Sequence, residues 1–330
     1  MAREALVDVT KSGSSAFAAG GGGSPGGTVD QIQANNGAGG FAGLANVAGH
    51  GGDLILTGTT PTTPPAGSLK HFVKNVAGRI LPAVVGSSGL DVSLQPHIGR
   101  NKIGRWTPGG NATTAPLGDG ITAPTAIGTA TARNVATTNL LNSMRRLGYV
   151  SAATAPALCG IRTGVAQFWR GNAANLGGFH FITRFAISDA ATVAGARMFV
   201  GLSATVAAPT NVEPNTLANT VGVAQISTST NLQIITRDAT AAQTIDLGVN
   251  FPCVAALGHV YELALFAPPG GSSIGYRVEN LSTGSVAQDT LTTNIPVNTT
   301  LMGITMWRTN NASNVSVGLD LISMYVETDY

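Results

Sequence analysis

From Gly164 to the C-terminus the chain keeps one rhythm: a short stretch of aliphatic, aromatic and β-branched residues, then a cluster of Gly, Pro, Asn, Ser or Thr. Candidate strands cover 165–170, 178–188, 196–204, 221–228, 231–237, 243–248, 259–267, 274–280, 300–308 and 315–327, separated by turn clusters such as "APPGGSS" and "RTNNASN". No helical period lies between them, so their backbone groups must be satisfied strand to strand. Such spacing predicts an antiparallel two-sheet sandwich of jelly-roll type. In "FHFITRFAI" alternation places Phe179, Phe181, Thr183, Phe185 and Ile187 on one face, and His180, Ile182, Arg184, Ala186 and Ser188 on the other. The first face is core. The second is mixed, with Arg184 expected near Asp189 or a carboxylate of the next strand.

Charge then limits how such a sandwich exists in water. Only 10% of the 330 residues are Asp, Glu, Lys or Arg, against about 25% in an average soluble protein. A surface of small, weakly polar side chains packs readily against copies of itself, which points to an assembly protein. The net charge of +2 conceals a gradient. Residues 68–164 carry Lys70, Lys74, Arg79, Arg100, Lys102, Arg105, Arg133, Arg145, Arg146 and Arg162 against Asp91 and Asp119, while the flanks on both sides are net acidic. These bases are spread out and lack the clustered aromatics of a nucleic-acid module. The expected partner is an acidic protein surface, including the acidic flanks of adjacent subunits; no nucleic acid is expected.

The first third is broken by Gly and Pro, as in "AAGGGGSPGG" and "GTTPTTPPAGS". An extended arm over 1–67 is expected to gain order by packing on something else, with Leu6, Val7, Val9, Leu54, Ile55 and Leu56 as anchors. "SLKHFVKNVAGRILPAVV" reads as a hairpin around Asn75-Val76-Ala77-Gly78. One helix is expected in "TTNLLNSMRRLG", capped by Thr137 or Thr138 and closed by Gly148. Its apolar stripe of Leu140, Leu141, Met144 and Leu147 would seal a subunit interface or an end of a sheet. The middle region, 68–164, is thus a basic collar of hairpins and one short helix, and 165–330 is the distal sandwich.

Motifs for chemistry are weak. The two G-x-S-x-G matches, at Gly22–Gly26 and Gly271–Gly275, sit in a low-complexity arm and before a strand, not on a strand-to-helix elbow. The five histidines, His50, His71, His97, His180 and His259, show no ligand spacing. Neither a metal nor a cofactor is expected. Cys159 and Cys253 are far apart and in no metal spacing; two buried free thiols are the default, with a single bridge the alternative. Glycoside cleavage needs paired carboxylates, and Asp189, Glu213, Asp238, Asp246, Glu262, Glu279, Asp289 and Asp320 fall mostly at strand ends and turns, where acids cap and solubilise. In "MWRTNNASN", Trp307 either stacks on a sugar beside Asn310 and Asn311 or fills core or interface. The N-terminal stretch has charges where an apolar signal core would lie, and no apolar run is long enough for a membrane span, so folding in a cytosol is expected.

"ILTGTTPTTPPAGSLKHFVKNVAGRILPAVVGSSGLDVSLQP", "RNKIGRWTPGGN", "TATARNVATTNLLNSMRRLGYVSAATA" and "GGFHFITRFAISDAATVAGARMFVGLS" together cover most of residues 55–205. They resemble segments of tailed-bacteriophage virion proteins of the tail fibre or appendage type. That resemblance implies a non-enzymatic homotrimer attached to the virion by its arm, contacting other virion proteins of the tail or portal-adaptor region. The distal sandwich would then project toward the host surface, with a host surface glycan as its candidate contact through Trp307, Asn310 and Asn311. A head fibre or capsid decoration protein, and a carbohydrate-processing enzyme, are the alternatives.

Overall fold

The computed structural model describes residues 31–35, 41–50, 53–56, 64–65, 68–86, 91–93, 102–109, 113, 121–173, 176–189 and 191–328. Leu6, Val7 and Val9 lie outside them. The chain divides into two units, one of residues up to Lys74 with Leu81–Leu94, the other of Asn75–Ile80 with Gln95–Tyr330.

In the first unit, β1 (Gln31–Asn35), β2 (Phe41–His50) and β3 (Asp53–Leu56) form a three-stranded antiparallel sheet. Leu54, Ile55 and Leu56 therefore belong to a strand paired with β2 of the same chain. A second sheet holds β4 (Leu69–Val76), β5 (Arg79–Gly86) and β6 (Asp91–Ser93). The expected hairpin is present, with its turn shifted: Ala77 (φ 55°) and Gly78 (φ 88°) are the two left-handed residues, as a two-residue turn matched to strand twist requires. Asn75 serves differently from expectation, its Oδ1 accepting the Gly78 N–H at 2.8 Å.

The second unit is a mainly β, antiparallel sandwich. Its elements are β7 (Lys102–Trp106), β8 (Pro124–Ile127), β9 (Thr129–Ala132), α1 (Leu140–Ser143), β10 (Leu147–Val150), β11 (Leu158–Thr163), β12 (Phe179–Ile187), β13 (Arg197–Ser203), β14 (Thr220–Gln225), β15 (Gln233–Arg237), β16 (Ala242–Asp246), β17 (Tyr261–Ala267), β18 (Ile274–Asn280), β19 (Ser285–Leu291), β20 (Gly303–Thr309) and β21 (Gly318–Thr328). The larger sheet runs β19-β18-β17-β12-β21-β10-β9; the smaller runs β16-β15-β14-β13-β20-β11-β8. Strand β21 spans 11 residues because β10 pairs with its first half and β7 with its second, on the edge opposite β12. Phe179, Phe181, Phe185 and Ile187 face the core with Leu263 and Leu265, against Val200, Leu202, Val221 and Met306 of the other sheet. The alternation expected for β12 is the one observed.

Three expectations change. The boundary at 164/165 does not separate domains, because β8 and β11 complete the smaller sheet and β7, β9 and β10 the larger. Antiparallel sheets recruit strands by register rather than by nearness in sequence, and β11 reaches its partner β20 through Gly160↔Trp307. The helix is only Leu140–Ser143, capped by Asn139 rather than by Thr137 or Thr138. Met144 is already extended, and Leu147 and Gly148 lie in β10. Leu141 packs on Ala186, Val260 and Ile322 of the same chain, with Met144 against that cluster, while Leu140 remains exposed. The stripe is thus divided between a helical turn, an extended residue and a strand, and Leu141, Met144 and Leu147 are all spent on internal packing. Finally, 165–170 contributes only the bridge Phe168↔Met302, and the polar edge strand β19 was not expected at all.

Candidate functional site

The outer face of the larger sheet carries most of the polar chemistry. His180, Phe266 and Glu327 lie side by side on β12, β17 and β21, through His180↔Phe266 and His180↔Glu327. The tip of the β4–β5 hairpin covers them. Gly275, opposite Phe266 on β18, makes this approach possible, since a Cβ there would lie 1.9 Å from the Ala77 carbonyl oxygen. From the tip, Arg79 grips Glu327 with both nitrogens, Nη1 to Oε2 at 2.5 Å and Nη2 to Oε1 at 2.8 Å. Tyr325 donates to the same carboxylate at 3.0 Å, and the guanidinium sits 5.8 Å from the Phe266 ring centre.

Arg79 Nη1 also lies 3.1 Å from His180 Nδ1. Guanidinium nitrogens only donate, so Nδ1 accepts and the imidazole proton sits on Nε2. Nε2 is buried and has no hydrogen-bond partner among the described residues. Burial, reinforced by Arg79 and opposed by Glu327, holds this imidazole at about 4, below its ordinary 6.5. The unfolded chain therefore binds a proton below about pH 6.5 that the folded chain refuses until about pH 4. His180 thus contributes stability that is full above pH 6.5 and lost as pH falls through that window, about 3 kcal/mol in total. Burial lowers His259 in the same direction, so the informative measurement is a difference. Urea unfolding of the wild type between pH 7 and 4 should show a steeper loss than His180→Gln; equal slopes would refute this account.

Further along the same face, Asp320 is buried beside α1. Its Oδ1 accepts from Ser188 Oγ at 2.6 Å and Arg133 Nε at 3.2 Å, and its Oδ2 accepts from Arg146 Nε at 2.9 Å. Gly148 leaves room for the group, because a Cβ there would meet Arg133 Nε at 2.4 Å and Asp320 Oδ1 at 2.7 Å. A cavity of about 200 Å³ opens at this cluster. Between the two covered ends, Arg184 pairs across strands with Glu262 at 2.7 Å, and the arginine side chain is 44% exposed. Arg184 thus meets a carboxylate of the next strand, as expected, whereas His180 is covered by a hairpin of its own chain, which alternation does not show.

A third cluster crosses the core. Arg308 follows Ile304 and Met306 on the inward face of β20 and is bound by Asp189, just past β12. Gln225 Oε1 takes Arg308 Nη1 at 2.6 Å, and Asp189 Oδ1 accepts the Gly318 N–H at 2.9 Å. Cys159 and Cys253 are free and buried, and burial pushes both thiols up to about 12, leaving no thiolate for chemistry.

The predicted sugar contacts are rearranged. Trp307 does lie on the outer face of the smaller sheet, but Phe199, Ala224 and Ile235 enclose it with Leu217 and Ile226, leaving 0% exposure. A buried ring has no face to offer a ligand. Asn310 is consumed internally, its Oδ1 taking the Ala157 N–H and its Nδ2 facing the carbonyls of Ala152, Thr154 and Val315. Asn311 accepts from Arg197 and Asn211. Both pin loops. Reading the sequence missed Arg79, Arg133, Arg146 and Asp320 as partners, and the one available signal was charge: a basic middle and an acidic distal segment complement each other within one chain. The sequence placed that complement between subunits, whereas Arg79, Arg133 and Arg146 find it inside this one.

Among the described residues no group of three or more His, Cys, Asp or Glu could hold a metal ion, and no helix is long and apolar enough to cross a membrane. No family model matches the chain, and no curated protein matches its sequence. Among solved structures, a protein of unknown function from Shewanella oneidensis matches with TM-score 0.45 and 10% identity, over 71% of this chain and 89% of that one. Arcelin-5, a lectin-like defence protein from Phaseolus vulgaris, matches with TM-score 0.45 and 8% identity over 70% and 100%. Peanut lectin matches with TM-score 0.46 and 12% identity over 70% and 98%. Similarity at this level assigns neither a ligand nor an activity to this chain.

Proposed function

We propose that this chain is a non-enzymatic structural component of a bacteriophage particle, a subunit of a homotrimeric tail fibre or appendage that attaches the particle to its host. The observation that carries the non-catalytic part is the fate of the carboxylates. Asp189, Glu213, Glu262, Glu279 and Asp320 are each paired with an arginine of the same chain. Asp238 and Asp246 accept backbone N–H groups in turns, and Asp289 accepts the N–H of Thr290. Acids engaged in this way are structural ties. With so few charges, and many of those paired internally, the surface is left with exposed aliphatics such as Ile80, Val135, Val165 and Val249, suited to contacts with other virion proteins and with copies of itself.

The particle assignment is supported by the strings over residues 55–205 that resemble virion appendage proteins. In this reading the chain assembles in the host cytoplasm, and the N-terminal region joins tail or portal-adaptor proteins. Weak contacts of the sandwich with a host glycan are multiplied by trimerisation and copy number. Electron microscopy of particles carrying the chain tests it. Threefold density on the tail is expected; density confined to capsid vertices or hexamer centres would replace this assignment with a head fibre or decoration protein. Hydrolysis of host polysaccharide that a single Asp or Glu substitution abolishes would overturn the non-catalytic part.

A further inference from the structure

We infer that the cavity beside Asp320 is a binding site for a small carboxylate, of the kind carried by an acidic sugar. Two guanidiniums converge there on one carboxylate. Asp189 also reaches the cavity wall, but Arg308 binds it through two nitrogens and neutralises it. Arg133 and Arg146 against Asp320 leave an excess of one positive charge beside an open volume of about 200 Å³.

The two arginines have different duties. Arg146 is fixed and its side chain only 8% exposed: Nε holds Asp320, Nη1 donates to the Leu141 and Met144 carbonyls, and Nη2 donates to Asn142 Oδ1. Arg133 spends Nε on Asp320 and Nη2 on Ser188 Oγ, while Nη1 donates to nothing among the described residues. Its side chain is 24% exposed. A guanidinium held on one edge and open on the other is prepared for a planar carboxylate, because the donors are already oriented and the ligand orders nothing further. Beside it, Asn139 uses Oδ1 to cap α1, and its Nδ2 makes no bond among the described residues, leaving an amide donor for a hydroxyl or a second carboxylate oxygen. A polar wall without an aromatic face suits a hydroxylated anion better than an apolar one.

This site goes beyond the particle assignment and is read on the isolated full chain, so either can fail alone. Glucuronate, glucose and inorganic sulfate would be titrated separately into the protein by calorimetry. Glucuronate should saturate with a dissociation constant on the order of 1 mM, and weaken as salt screens the site. Glucose should not saturate. Arg133→Gln should weaken glucuronate about tenfold, the loss of one charge-assisted pair. Because that change also touches Asp320, Asn139→Asp provides a second arm. Asp caps a helix as well as Asn, so the fold is kept while a negative charge enters the cavity; affinity should fall at least as far. Failure of glucuronate to saturate, or equal affinity in Asn139→Asp, would overturn the site. Sulfate or glucose binding as tightly as glucuronate would overturn the choice of a carboxylate.

Discussion

Asp189→Asn should destabilise the protein by about 3–5 kcal/mol, because it leaves the Arg308 charge uncompensated between the two sheets. The side chains of the pair are 1% and 2% exposed, so water cannot replace the lost partner. Burial works against the charged guanidinium, and Asp189 more than offsets it, raising the arginine's proton affinity above its ordinary value. Asparagine keeps the shape and can still accept the Gly318 N–H, so the change isolates charge. Arg184→Gln, which breaks the exposed pair with Glu262, is the control and should cost less than about 1 kcal/mol. Urea unfolding of the variants at pH 7 reads both. A loss of under 1 kcal/mol in Asp189→Asn would show that the sheets are not joined through this pair. Replacing both Asp189 and Arg308 with apolar residues of similar volume should recover much of the loss, since the cost lies in the unpaired charge.

Trp307→Ala should cost about 3–5 kcal/mol, through lost burial and the cavity left behind. The indole is held on Phe199, Ala224 and Ile235, and the segment around Leu217 that covers it is tied down by polar contacts. Arg197 Nε reaches Glu213 Oε1 at 2.8 Å, Ser227 Oγ bonds the same oxygen, and Arg237 donates to the Asn215 carbonyl at 3.1 Å. Removing the ring therefore undermines both the sheet and its cover. Denaturant unfolding supplies the measurement. A change of less than about 1 kcal/mol would place Trp307 at the surface and reopen a role in ligand stacking.

These two residues mark how far the sequence could be read. Period-two alternation is a local property of the extended chain, and it placed Phe179, Phe181, Phe185 and Ile187 inward and His180 and Arg184 outward. Turn chemistry is equally local, and it located the hairpin and Gly78, while the other residue of positive φ is Ala77 rather than Asn75. The limits appeared where burial depends on something distant. The sequence leaves Trp307 open between sugar stacking, core and interface, because the segment that covers it begins some ninety residues earlier and shows no pattern of its own. Alternation puts His180 on the mixed outer face of β12; that Arg79 would close over it depends on Gly275, which lies on a third strand.

Strand recognition failed for related reasons. Strand β19 is polar because it is an edge, with little to bury. "LGYV" of β10 follows a helix cap and two arginines closely enough to pass for the end of that helix. Its strand character comes from Asp320 and Leu321 opposite, which no local window contains. The sequence by itself determined the strand periodicity, the core faces and the scarcity of charge, all of which follow from side-chain chemistry along a pleated chain. Only the tertiary structure decided that Arg79, Arg133 and Arg146 meet Glu327 and Asp320 inside one subunit, because an ion pair depends on register between strands far apart in the chain, and register is set by the whole sandwich.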